Sequence, residues 1–183
     1  MGGGGAAGGY LEGRAVTLKQ CFAPVVDRDT RVLILGSLPG EASLAQNQYY
    51  AHKQNKFWLL VGEVIERDLV GMDYAVRLET LLEHRIGLWD VVAEAQRVGS
   101  LDSRIRDHAS NDLVALVETL PDLVAIAFNG GTAAKLGAKA LGEAENRYQM
   151  VRLPSSSPAH ASVPYVEKRI AWLALGRFLE ERR

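Results

Sequence analysis

Apolar residues recur along the chain with two different spacings, and their alternation sets the expected architecture. Residues 31–35, R-V-L-I-L, form a short run that ends in Gly36-Ser37-Leu38-Pro39-Gly40. A run of this kind, bounded by turn residues, reads as a buried strand entering a loop. Phe57, Leu60, Val61, Val64 and Ile65 then fall at i, i+3, i+4, i+7 and i+8, which is one face of a helix. Tyr74, Leu78, Leu81 and Leu82 give a second such face. Residues 86–92, I-G-L-W-D-V-V, read as a second strand or extended turn. Leu113, Leu116, Val117 and Leu120 predict another helix, with Ser110 or Asn111 as its cap and Pro121 as its end. A third strand over 123–128 leads into Asn129-Gly130-Gly131 and a short helix through Leu136, and a fourth covers 149–153. The last helix carries Val166, Ile170 and Leu173, with Ser162 and Pro164 near its start.

Strands that alternate with helices, without internal repeat, predict an α/β fold: three αβα layers around a central, mostly parallel four-stranded sheet. In such sheets chemistry collects in the loops beyond the C-terminal strand ends. Here those loops are residues 36–55, Asp90 and its successors, 129–132 and 154–160. They are also the most chemically unusual stretches of the chain, so they are expected to form one site.

Composition narrows this picture. The 183 residues, 48% hydrophobic and 23% charged, suit one globular domain with a substantial core. Residues 1–9 are rich in Gly and Ala and read as a flexible tail, leaving 10–183 as the domain. No apolar run approaches the ~18–20 residues a membrane-spanning helix needs, and no secretion signal is visible. A cytoplasmic location is therefore the default expectation. Cys21 is the single cysteine, which excludes an internal disulfide, an iron–sulfur cluster and a cysteine-built zinc site. His84 and His108 read as structural or exposed, and neither a metal nor a cofactor is expected. The formal net charge of −1 neither supports nor opposes a nucleic-acid partner. Phosphate contacts would come from local positive groups and helix N-termini.

Residues 36–58, G-S-L-P-G-E-A-S-L-A-Q-N-Q-Y-Y-A-H-K-Q-N-K-F-W, resemble the first motif of the uracil-DNA glycosylase superfamily. The spacing matches mismatch-specific uracil glycosylases, whose motif runs G-I-N-P-G, then an aromatic followed by A-H-P-x-N-R-F-W. The resemblance is closer to the hypoxanthine-DNA glycosylase branch, in which G-S-x-P-G, Y-Y, N-x-F-W and a P-S-x-S-P loop occur together. Lys53 and Lys56 replace the proline and arginine of that pattern. The resemblance implies a monofunctional DNA glycosylase acting on a deaminated base, hypoxanthine first and uracil or xanthine next. Its partner would be DNA containing the damaged base, and a monomer is expected. Two other readings stay open: a DNA-binding protein on the same fold that recognises damage without cutting, and a general α/β nucleotide-binding enzyme.

The reaction passes through an oxocarbenium-like sugar and needs the nucleotide turned out of the stack into a pocket. The resemblance implies that Tyr50 stacks on that base; the alternative is that Tyr49 and Tyr50 pack the loop. It makes Asn55 the catalytic residue, orienting a water or binding the base, because an amide is no general base. Asn55 could equally cap the helix that follows. Leu38 departs from other branches, which carry a water-positioning Asp or Asn there, so Asn55 or Glu41 would take over or activity would be lost. Asp90 aligns with the residue that reads the base edge; it would accept the N1–H of hypoxanthine, or else cap a helix or form an ion pair. Gly36 and Ser37 would line the pocket, and Asn129 with its two glycines would offer N–H groups to a phosphate. Ser155, Ser156 and Ser157 resemble the second motif, which grips the DNA backbone. Leu153 stands where uracil-specific enzymes carry a histidine, and His160 is the candidate substitute.

Overall fold

The computed structural model describes residues 17–97, 99–102 and 105–180. The expected tail and the onset of the domain near residue 10 lie outside the described residues. The core is a four-stranded, wholly parallel sheet built from β2 (Val32–Gly36), β3 (Ile86–Asp90), β6 (Ala125–Asn129) and β7 (Gln149–Leu153), in the order β3-β2-β6-β7. Val32 of β2 pairs with Ile86 on one side and Ala125 on the other. This register brings Gly36 level with Asp90, and Asn129 level with Leu153.

Side chains of a strand alternate between faces, and here both faces are dry. Val32, Ile34, Ile86, Leu88, Ala125 and Ala127 pack with α2 (Phe57–Val64), α3 (Tyr74–Glu83), α6 (Tyr165–Leu173) and α7 (Gly176–Leu179). Leu33, Leu35, Ile126 and Phe128 pack with α4 (Leu113–Glu118) and α5 (Gly131–Leu141). This is the expected αβα layering. The α5 helix lies so close to the sheet that a β-carbon at Gly137 would stand 2.2 Å from the Phe128 ring. Among the described residues no helix is long and apolar enough to cross a membrane.

Several boundaries differ from the sequence reading. The strand expected over 86–92 stops at Asp90, and Val92 starts β4 (Val92–Arg97). That strand joins β1 (Thr17–Gln20) and β5 (Arg106–Ser110) in an antiparallel sheet of order β1-β4-β5, which sequence reading missed. Its own small core consists of Leu38, Val92, Ala95 and Ile105, with Cys21 and Leu136 against it. The cap of α4 is Asp112, whose side chain accepts from Ala115 N at 2.9 Å, because Asn111 is occupied elsewhere. The helix expected to end near Leu136 continues to Leu141. Between α1 (Glu41–Gln46) and α2 runs the loop that carries Tyr50 and Asn55.

Candidate active site

Gly36, Tyr50, Asp90, Asn129 and the serine loop lie together at the C-terminal edge of the parallel sheet. Gly36 ends β2 and Asp90 ends β3 beside it. A β-carbon built at Gly36 would stand 2.7 Å from Asp90 Oδ1 and 2.9 Å from the Tyr50 hydroxyl. The carboxyl and the phenol thus converge over the Gly36 α-carbon and leave no room there for a β-carbon. Asp90 is buried, and its carbonyl accepts from Asn111 Nδ2 at 2.8 Å. Ser37 is buried too, and its carbonyl accepts from Val92 N at 2.9 Å.

Tyr50 is held from behind and by its backbone. Its ring stacks on Phe57 with centroids 3.8 Å apart and planes 14° apart, while its φ of 54° places it in the left-handed region. A non-glycine residue there costs about 1–3 kcal/mol, so the surrounding packing must hold it. The ring is partly exposed, but the hydroxyl is buried without a hydrogen-bond partner among the described residues. Burial first, then the Asp90 charge, drives its ionisation far above the ordinary tyrosine range. The Asn129 amide, which approaches without hydrogen-bond geometry, opposes this and is outweighed. Tyr50 therefore stays a neutral phenol. The same two causes raise Tyr49, whose hydroxyl donates to Ala23 O at 2.9 Å, so Tyr49 is the ring that packs the loop.

Asn129, at the end of β6, is a brace. Its Nδ2 donates to Ser156 Oγ at 2.9 Å and its Oδ1 accepts from Ser156 N at 2.9 Å. Ser156 O in turn accepts from Lys56 N at 3.0 Å. Of the three serines, Ser156 is therefore committed to the interior. Ser155 Oγ accepts from Ser157 N and Ser157 Oγ from Ala159 N, each at 3.2 Å, and both residues are half-buried. Helix α6 holds both ends of this loop from one face. Trp172 Nε1 donates to Pro154 O at 3.0 Å, and Lys168 Nζ donates to His160 O at 2.8 Å. Burial lowers the pKa of Lys168. His160 contributes its carbonyl here while its side chain is exposed, so no contact brings the imidazole to the Tyr50–Asp90 pair.

Asn55 sits one residue before the Lys56–Ser156 link. Its Oδ1 accepts from Phe57 N at 3.0 Å, fixing the amide at the start of α2. The N-cap position of α2 is Lys56, without a side-chain cap bond, so Asn55 stands one residue earlier and holds the first helical N–H through a local turn. Glu41 pairs instead with Lys19 at 3.2 Å on the outside of the molecule. Leu38 is buried in the small core against Val92 and Ala95, so the side chain at this position points away from the candidate pocket. Sequence reading missed Phe57 as the support of Tyr50, and Lys168 and Trp172 as the loop anchors. The i, i+4 spacing of the last two on one helix face was the available signal.

A surface depression of about 640 Å³ lies elsewhere, lined by Arg31, Arg85, Asp122, Val124, Arg147 and Gln149 among others. These residues precede or begin β2, β3, β6 and β7, at the opposite edge of the sheet from the converging loops. The described residues contain no group of three or more His, Cys, Asp or Glu side chains that could hold a metal.

The sheet edge thus gathers the Tyr50–Phe57 stack, the buried Asp90 and a serine loop braced by Asn129. Comparison with known proteins supplies the class. The family model described as Uracil DNA glycosylase superfamily matches residues 23–175. A hypoxanthine DNA glycosylase of Methanosarcina acetivorans is 43% identical over 143 residues, covering 78% of this chain and 89% of that one. A hypoxanthine DNA glycosylase of Methanosarcina barkeri is 46% identical over 112 residues, 61% of this chain and 71% of its own. The solution NMR structure of a Methanosarcina acetivorans protein, provisionally described as a uracil DNA glycosylase, superposes with a TM-score of 0.79 at 41% identity. It covers 90% of this chain and all of that one. The chain belongs to the uracil DNA glycosylase superfamily, and it is a DNA glycosylase.

Proposed function

We propose that this enzyme excises a deaminated base from DNA, hypoxanthine foremost, by hydrolysing its N-glycosidic bond in base excision repair. The observation that carries the reading is the convergence of Asp90 and Tyr50 over Gly36. A carboxylate at that place accepts from a ring N–H and offers no donor, which suits the N1–H that deamination creates. Asn55, with its oxygen committed to Phe57 N, presents donors; these hold a water by its lone pair or hydrogen-bond the departing base. Ser155 and Ser157 donate to backbone phosphates from a loop fixed at both ends. The similarity of the two hypoxanthine DNA glycosylases supports the same choice of base.

The deciding experiment incubates the enzyme with duplexes containing hypoxanthine, xanthine or uracil and reveals abasic sites with alkali. Hypoxanthine is expected to be released fastest. Asn55→Ala is expected to lower the single-turnover rate by about 10²-fold or more, in the range seen when one preorganised catalytic donor is lost. Asn55→Asp keeps the acceptor for Phe57 N and loses the donors, so it should fold normally yet be as impaired. Binding without any abasic product would return the protein to a damage-recognition role, and full activity in Asn55→Asp would remove Asn55 from the chemistry.

A further inference from the structure

Resting on that reading, we propose that Tyr50 reads the base through its hydroxyl, donating to the carbonyl that flanks the ring N–H accepted by Asp90. The phenol proton has no acceptor among the described residues. A buried hydroxyl in that condition is a site where a ligand atom is missing from the hydrogen-bond account. Its position is fixed: Phe57 backs one face of the ring, and the oxygen stands over Gly36 beside Asp90 Oδ1. A base edge brought to this point meets a donor and an acceptor side by side.

The order of these groups matches one kind of edge. Deamination of adenine replaces the 6-amino group by a carbonyl oxygen and places a proton on N1. Hypoxanthine then shows a donor at N1 next to an acceptor at O6, and uracil and xanthine show the same N–H/C=O pair. Adenine presents a lone pair at N1 beside an amino group. Against adenine the Asp90 carboxylate faces the N1 lone pair, acceptor against acceptor, a mismatch of the kind by which polar sites reject analogues. Guanine and thymine share the N–H/C=O edge, so their exclusion falls to the shape of the pocket around the guanine 2-amino and thymine methyl groups.

Single-turnover excision of hypoxanthine by wild type, Tyr50→Phe and Tyr50→Leu tests this. Tyr50→Phe keeps the ring and its stack on Phe57 and loses only the hydroxyl. Its rate is expected to fall about tenfold or more, as for the loss of a hydrogen bond made in a desolvated site. Its melting temperature should equal or exceed that of wild type, because an unpaired buried hydroxyl has been removed. A wild-type rate in Tyr50→Phe, with collapse in Tyr50→Leu, would overturn the proposal and assign Tyr50 to face stacking. A wild-type enzyme that releases none of hypoxanthine, xanthine or uracil would overturn the substrate reading as well, which separates the two failures.

Discussion

At the scale of single residues, the site depends on an atom that is absent. Gly36 lacks the β-carbon that would stand 2.7 Å from Asp90 Oδ1. Gly36→Ala is expected to be tolerated by the fold, since the groups it meets are side-chain ends, with an overpacking cost of about 1–3 kcal/mol. Activity should fall much further, by about 10²-fold, because a displacement near 1 Å at a reacting centre has that effect. Melting curves beside single-turnover rates would expose the split; parallel losses would mean that Gly36 serves the fold alone. Asp90 and Asn129 stand where apolar runs give way to polar loops, whereas Tyr50 was singled out by the resemblance of residues 36–58. That Asn129 spends both ends of its amide on Ser156 was not legible. The pairing follows from the β6–β7 register, which juxtaposes residues 27 positions apart, and no local pattern encodes it.

At the scale of elements, α6 orders the serine loop and is itself tied to α2 by charge. Glu63 accepts from the Tyr165 hydroxyl at 2.5 Å and pairs with Arg169. The Tyr165 bond is the chief cause of a lowered Glu63 pKa, and burial with Glu63 pushes Tyr165 up to about 12. A carboxyl whose folded pKa is depressed adds stability above its unfolded value, near 4.3, that is lost as pH falls through the folded value. Wild type should therefore be more stable than Glu63→Gln above about pH 5, and the two should converge on acidification. The gap will be below about 1 kcal/mol, because the ion pair is partly exposed. Thermal melts of the pair of proteins across pH would show it, and a gap that widens on acidification would refute the assignment. The helices of the main layers were readable because their apolar faces are continuous. In contrast β5 presents Arg106, His108, Ala109 and Ser110 exposed, so burial wrote no alternation into its sequence, and only pairing with β4 makes it a strand.

At the scale of the whole molecule, the parallel sheet was readable from its buried runs, while the antiparallel sheet was hidden because its elements are short, polar and far apart in sequence. The two are riveted by Leu38, which leaves the end of β2 and enters the small core with Val92, Ala95 and Ile105. An aspartate grafted there to imitate other branches would arrive not beside a nucleophilic water but inside oil. Leu38→Asp should therefore lower stability by several kcal/mol, the scale of burying an unpaired polar or charged group, and gain no turnover in chemical denaturation and excision assays run side by side. Water activation from residue 38 is walled off by architecture, so a variant that uses it must first rebuild the joint between the two sheets.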